Sequence, residues 1–97
     1  MSSRSDYTYQ FRLVKDRPFI MIEDKDLGGR SVTNDIDKVV EGIARKERIN
    51  PVEFYIIYRD SMGIWDGYEF ATKMIFPLRQ SHWLQAAIKA INYKSNG

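Results

Sequence analysis

Two runs of consecutive apolar residues, Phe19-Ile20-Met21-Ile22 and Phe54-Tyr55-Ile56-Ile57-Tyr58, restrict the possible folds of this chain most. Both are short and rich in aromatic and β-branched side chains, which suits strands. Successive strand residues point to opposite faces, so a run that is apolar at every position needs cover on both sides. Glu53 to Arg59 is therefore expected to be the central strand of a sheet. Phe19 to Glu23 is a second strand, with Pro18 at its start, a position proline tolerates.

Around these runs the chain divides readily. Tyr7, Tyr9, Phe11 and Leu13 alternate with Thr8, Gln10 and Arg12, the signature of a strand with one wet face, and Lys15 to Pro18 forms the turn that follows. Asp24 to Arg30, with Gly28-Gly29, is a loop. Residues 31–50 make a helix: Ser31, Thr33 and Asn34 offer caps, Asp35 and Asp37 sit in the first turn, and Asn50-Pro51 ends it. Ile36, Val39, Val40, Ile43 and Ala44 form its apolar stripe. Asp60 to Gly63 is a turn, Ile64 to Phe70 and Thr72 to Phe76 continue the sheet, and a bulge or a second turn is expected near Asp66-Gly67. Pro77 to Gln80 leads to Ser81 as cap of a second helix, whose stripe is Trp83, Leu84, Ala87, Ile88 and Ile91 and which ends near Asn92. Residues 1–5 and 94–97 are expected to fray.

The expected fold is α+β, a small single domain over residues 1–97 in the order β-β-α-β-β-(β)-α. Its sheet is antiparallel or mixed, with two helices packed on one face. That arrangement leaves the other face uncovered, and a second copy of the chain is the simplest cover, so a homodimer is expected.

A chain of 97 residues has room for one core. With no cysteine it can form neither disulfides nor thiolate metal sites. No run approaches the roughly 20 apolar residues of a membrane span, and the polar opening lacks the plan of a signal peptide, which points to the cytoplasm. The net charge of +2 says little about partners, but after Glu69 there is no acid, while Lys73, Arg79, Lys89 and Lys94 follow. That basic end is a possible nucleic-acid footprint.

Chemistry-bearing residues are few. His82 is the only histidine and lies in the first turn of the second helix, where the dipole disfavours its charged form. Ser81 beside it points elsewhere and makes no base–nucleophile pair. Asp60 and Asp66 flank one turn and could pair as acids or hold a cation, yet both are also ordinary turn residues. Asp24 and Asp26 are too few and wrongly spaced for a calcium loop, and Gly28-Gly29 matches no phosphate-binding spacing.

The segment Tyr58 to Gly67 crowds aromatics, an arginine and two acids around one turn. Arg59, Trp65, Asp66 and Tyr68, with Lys89, are the candidate binding residues, since Trp, Tyr and Arg concentrate binding energy at interfaces. The expectation is a non-enzymatic cytoplasmic protein-interaction module that binds another protein or itself. No catalytic residue, metal, cofactor, membrane contact or small-molecule substrate is assigned. The alternatives are a nucleic-acid binder using the basic end and sheet aromatics, and a metal-dependent hydrolase using Asp60, Asp66 and His82.

Ile43 lies at the centre of the first helix stripe. Ile43→Ala is expected to cost about 2–5 kcal/mol of stability in chemical denaturation, and a loss below about 0.5 kcal/mol would place the stripe in solvent.

Overall fold

The computed structural model describes residues 7–24, 32–60 and 62–96. Five strands, β1 (Tyr7–Val14), β2 (Arg17–Asp24), β3 (Tyr55–Arg59), β4 (Trp65–Glu69) and β5 (Met74–Gln80), lie side by side in chain order. Helix α1 (Val32–Glu47) joins β2 to β3, and α2 (Trp83–Asn96) follows β5. Only β2 and β3 are parallel; every other pair is antiparallel, so the sheet is mixed and the fold is α+β in the expected order.

The helices do not share a face. Ile20, Ile22, Ile56, Tyr58 and Tyr68 pack with Ile36, Val40 and Ile43 of α1. The alternate residues Phe19, Met21 and Ile57, with Trp65, Phe76 and Leu78, pack with Ala86, Ala87, Ala90 and Ile91 of α2. This corrects the expectation of two helices on one face. A parallel β2–β3 pair requires a crossover, which puts α1 on one side of the sheet. The second apolar set of the two-sided strands then has to be dried, and α2 returns across it from β5. With a helix on each face, the described residues hold no wholly uncovered face of the kind that called for a second copy; only the β1 flank beyond the end of α1 stays open.

The chain's turns use left-handed backbone at non-glycine residues. Lys15 and Asp16 are both at positive φ, 52° and 65°, between the paired residues Val14 and Arg17. These are the signs of a two-residue hairpin turn matched to strand twist. Helix α1 ends at Glu47 rather than at Asn50-Pro51, because Arg48 turns left-handed (φ 58°) and the Ile49 N–H reaches back to the Ala44 carbonyl at 3.1 Å. That bond closes a Schellman-type terminus. Asn50 then caps a short 3₁₀ turn, Pro51–Glu53, its Oδ1 accepting from the Val52 N–H at 3.1 Å.

Further boundaries differ from the sequence reading: β3 begins at Tyr55 rather than Glu53, because Glu53 belongs to the 3₁₀ turn. Strand β5 continues through Pro77 to Gln80, which an edge strand permits because its outer side carries no ladder. Helix α2 runs to Asn96, four residues past Asn92, so residues 94–96 are helical. The expected irregularity near Asp66-Gly67 is a bulge: Trp65 pairs with Gln80 and Gly67 with Phe76, leaving the extra residues on β5. The loop with Gly28-Gly29, the cap Ser31 and the first residues lie outside the described residues, as do the side chains of Thr33, Asn34 and Asp35.

Gly67 admits the Phe76 ring directly over its Cα, and a Cβ there would overlap the ring atoms Cε2 and Cζ. The ring is fixed from its other side by stacking on Tyr93, centroids 4.6 Å apart. Gly67→Ala is expected to lower stability by about 1–3 kcal/mol, as overpacking does. An unchanged denaturation midpoint would show that the ring can move aside.

Candidate functional site

The residues singled out in the sequence are placed apart by the fold. Trp65 is 4% exposed in the core under α2, and Tyr68 is 1% exposed in the core under α1, so they lie on opposite faces of the sheet. Arg59 is exposed at the end of β3 and pairs with Glu23 at 3.4 Å. Lys89 on α2 donates from Nζ to the Leu78 carbonyl at 3.2 Å. Buried aromatics on two faces cannot form one rim with Arg59.

Asp66 is buried and shapes the bulge. Its Oδ1 accepts from the N–H groups of Leu78 and Arg79, each at 3.0 Å, and Arg79 adds an ion pair to Oδ2 at 3.5 Å. The carboxylate thus satisfies the two N–H groups that the bulge frees from the β4 ladder, where Arg79 adopts φ 54°. Asp60 does similar work in the β3–β4 turn, its Oδ1 accepting from Met62 N–H at 2.8 Å and Ile64 N–H at 3.0 Å. Gly63 takes φ 83° in that turn. His82 caps α2, its Nδ1 accepting from the Leu84 N–H at 3.1 Å. Each of the three is occupied by its own backbone. Among the described residues no group of three histidine or carboxylate side chains is arranged to hold a metal ion.

The cations of the basic end are exposed but paired within the chain. Lys73 reaches Asp37 at 3.3 Å and Glu41 at 3.7 Å, and Lys94 reaches Glu69 at 3.5 Å. With Arg79 on Asp66 and Lys89 on Leu78, all four cations meet acceptors within the chain. The sheet aromatics that might stack on bases are covered: Phe19, Phe76 and Trp65 by α2, Tyr58 and Tyr68 by α1. Burial, and then the nearby Asp66 and Asp60 carboxylates, push the Tyr58 phenol far above its ordinary range.

What the fold does assemble is a groove with a volume of ≈ 380 Å³ where α1 stops short of the β1–β2 hairpin. Phe11, Leu13 and Pro18 come from the hairpin, and Glu47, Ile49 and Phe54 from the end of α1 and the approach to β3. Phe11 is 41% exposed and Leu13 72%. Phe11 is anchored against Phe54, ring centroids 5.7 Å apart. Tyr9 bounds the groove along β1, its hydroxyl donating to Glu47 Oε2 at 2.7 Å with Lys46 over its ring. Sequence reading placed Tyr9, Phe11 and Leu13 on one face, and the alternation was the available signal. It could not show that α1 would end before covering them.

Compared with known protein families, with characterised proteins and with solved structures, the chain matches none. Among the described residues no helix is long and apolar enough to cross a membrane.

On the other side of α1, Tyr68 donates from its hydroxyl to Asp37 Oδ1 at 2.6 Å. This bond holds the Asp37 carboxyl below its ordinary range against the opposing effect of burial, and Lys73 adds to it. A carboxyl depressed in the folded state contributes stability that is present above its unfolded pKa and lost as pH falls through its folded value. Wild type should therefore exceed Asp37→Asn in stability near neutral pH, and the gap should narrow below about pH 4. Urea titrations of both proteins from neutral to acidic pH would decide, and a gap independent of pH would exclude the charge of Asp37 as its source.

Proposed function

We propose that this chain is a non-enzymatic, cytoplasmic protein-binding module whose contact surface is the groove between the β1–β2 hairpin and the end of α1. One observation carries the reading: Phe11 and Leu13, two large apolar side chains, lie exposed side by side in an apolar concavity. Contiguous exposed apolar surface with a polar rim marks interaction sites, and a pocket beside an aromatic anchor is where binding energy concentrates. Glu47 lines the groove's edge and holds the Tyr9 hydroxyl at 2.7 Å.

The alternatives have less support. Nucleic-acid binding rested on the basic end and on the sheet aromatics; the cations of that end are paired with acceptors of this chain at its surface, and the aromatics are covered by helices. Hydrolysis rested on Asp60, Asp66 and His82, whose oxygen and nitrogen atoms serve the backbone.

Selection of displayed random peptides on the immobilised protein tests the proposal and also separates the groove from the Arg59 end of the sheet. The enriched peptides should carry an aromatic or branched aliphatic anchor. Leu13→Asp should weaken their binding about tenfold or more, the effect of disrupting an interface anchor, while Arg59→Ala should leave it unchanged. No enrichment, or binding lost with Arg59 rather than Leu13, would overturn the reading.

A further inference from the structure

We propose that the occupant of this groove is an extended acidic segment of a partner protein, which adds a sixth strand along the outer edge of β1. This rests on the reading of the groove as a protein-binding surface and names the form and charge of what binds there.

The two edges of the sheet are built differently. Strand β5 is broken by a bulge and carries Pro77, two devices that block further pairing. Strand β1 has neither: its eight residues pair with β2 in unbroken register from Tyr7 opposite Asp24 to Val14 opposite Arg17. Because Val14 and Arg17 flank a two-residue turn, they form a hydrogen-bonded pair, as do Arg12 and Phe19. The intervening residues Phe11 and Leu13 therefore turn their N–H and C=O groups outward. Among the described residues no strand lies beyond them.

The residues whose backbone faces outward are those whose side chains line the groove. A strand laid along β1 would hydrogen-bond to Phe11 and Leu13, and its side chains opposite these two would enter the groove. Its intervening side chain would emerge on the α2 face, next to Arg12. There the guanidinium is already positioned, 4.6 Å above the Trp83 ring and donating to Gln10 Oε1 at 2.9 Å. The edge therefore reads a segment that alternates apolar, acidic, apolar.

Local charge favours that segment over a second copy of this chain. Lys15 lies at the hairpin end of the groove and Arg45, Lys46 and Arg48 at its helix end, against Asp16, Glu47 and Glu53, while Arg17 lies across Tyr55 on the other face. Pairing β1 with its own copy would bring two such basic helix ends together. An acidic strand neutralises one.

The test uses two fluorescein-labelled peptides, Glu-Val-Glu-Phe-Glu-Val-Glu and Lys-Val-Lys-Phe-Lys-Val-Lys, titrated with the full chain and followed by anisotropy. The acidic peptide should bind about tenfold or more tightly than the basic one, with the difference shrinking in high salt. Leu13→Pro removes the outward N–H together with the groove-lining side chain, so it is read against Leu13→Ala, which loses the side chain alone. The proline variant should bind the acidic peptide about tenfold more weakly than the alanine variant. Arg12→Glu should shift the preference toward the basic peptide, which keeps the proposal testable if the proline variant melts early by circular dichroism. Equal binding of both peptides, or indifference both to proline over alanine at Leu13 and to Arg12→Glu, overturns it. Concentration-dependent self-association abolished by Leu13→Pro would make a second copy the occupant and also overturns it. If displayed peptides bind through Leu13 but the acidic peptide does not bind, the groove remains a protein site and the added acidic strand is excluded.

Discussion

Strands β2 and β3 are dry on both faces, and the rest of the molecule is arranged to keep them so. Phe19, Met21 and Ile57 point one way, and Ile20, Ile22 and Ile56 the other, all 2% exposed or less. Fully burying one such side chain is worth roughly 1.5–3 kcal/mol, so leaving either set wet would forfeit much of a small domain's stability. Parallel pairing of these two strands brings α1 over one face through the crossover. The other face is then closed by the last element of the chain, α2, whose alanines Ala86, Ala87 and Ala90 let the helix approach closely over Phe19, Trp65 and Leu78.

Centring the sheet on β2 and β3 leaves β1 and β4–β5 as flanks, and the flanks carry the irregularities. On the β5 side the ladder is interrupted, Pro77 sits outward, and the freed N–H groups of Leu78 and Arg79 are taken by the Asp66 carboxylate. A buried carboxylate at a bulge is a structural commitment: without it two N–H groups next to the core would lack partners. On the β1 side no such device is needed within the hairpin, since its two-residue turn keeps the strands in register to their ends.

Much of this was legible in the sequence, for reasons that are local. The alternation of Tyr7 to Leu13, the stripe of α1 and the two-sided runs at 19–22 and 54–58 each identify an element by its own period. The placement of the helices was not legible from periods alone, although the two-sided runs contained the clue, because a strand apolar on both faces already asks for a helix on each. The candidate rim failed for a related reason. Trp65 and Tyr68 are three residues apart across the Asp66 position, and on a strand that separation puts them on opposite faces. Asp60, Asp66 and His82 resemble chemistry in a list of residue types, but each lies next to backbone N–H groups that have no other partner, and the backbone claims them first.

The groove has a geometric origin that the two faces of β1 make plain. On the α2 side Val14 is buried in the core and Arg12, itself exposed, lies across Trp83. On the α1 side the helix stops at Glu47, because Arg48 turns left-handed and sends Ile49 back toward the core, while the hairpin continues past it. The exposed residues on that side are Phe11 and Leu13, not the polar residues that a strand with one wet face usually presents to water. Polar side chains do alternate along β1, but Gln10 and Arg12 are on the face where Trp83 and the start of α2 lie. The apolar members of the strand thus face the gap beyond the helix end, and the charged member is held beside the same strand edge. A requirement for solubility alone would favour the reverse register, and the hairpin's unbroken pairing fixes this one.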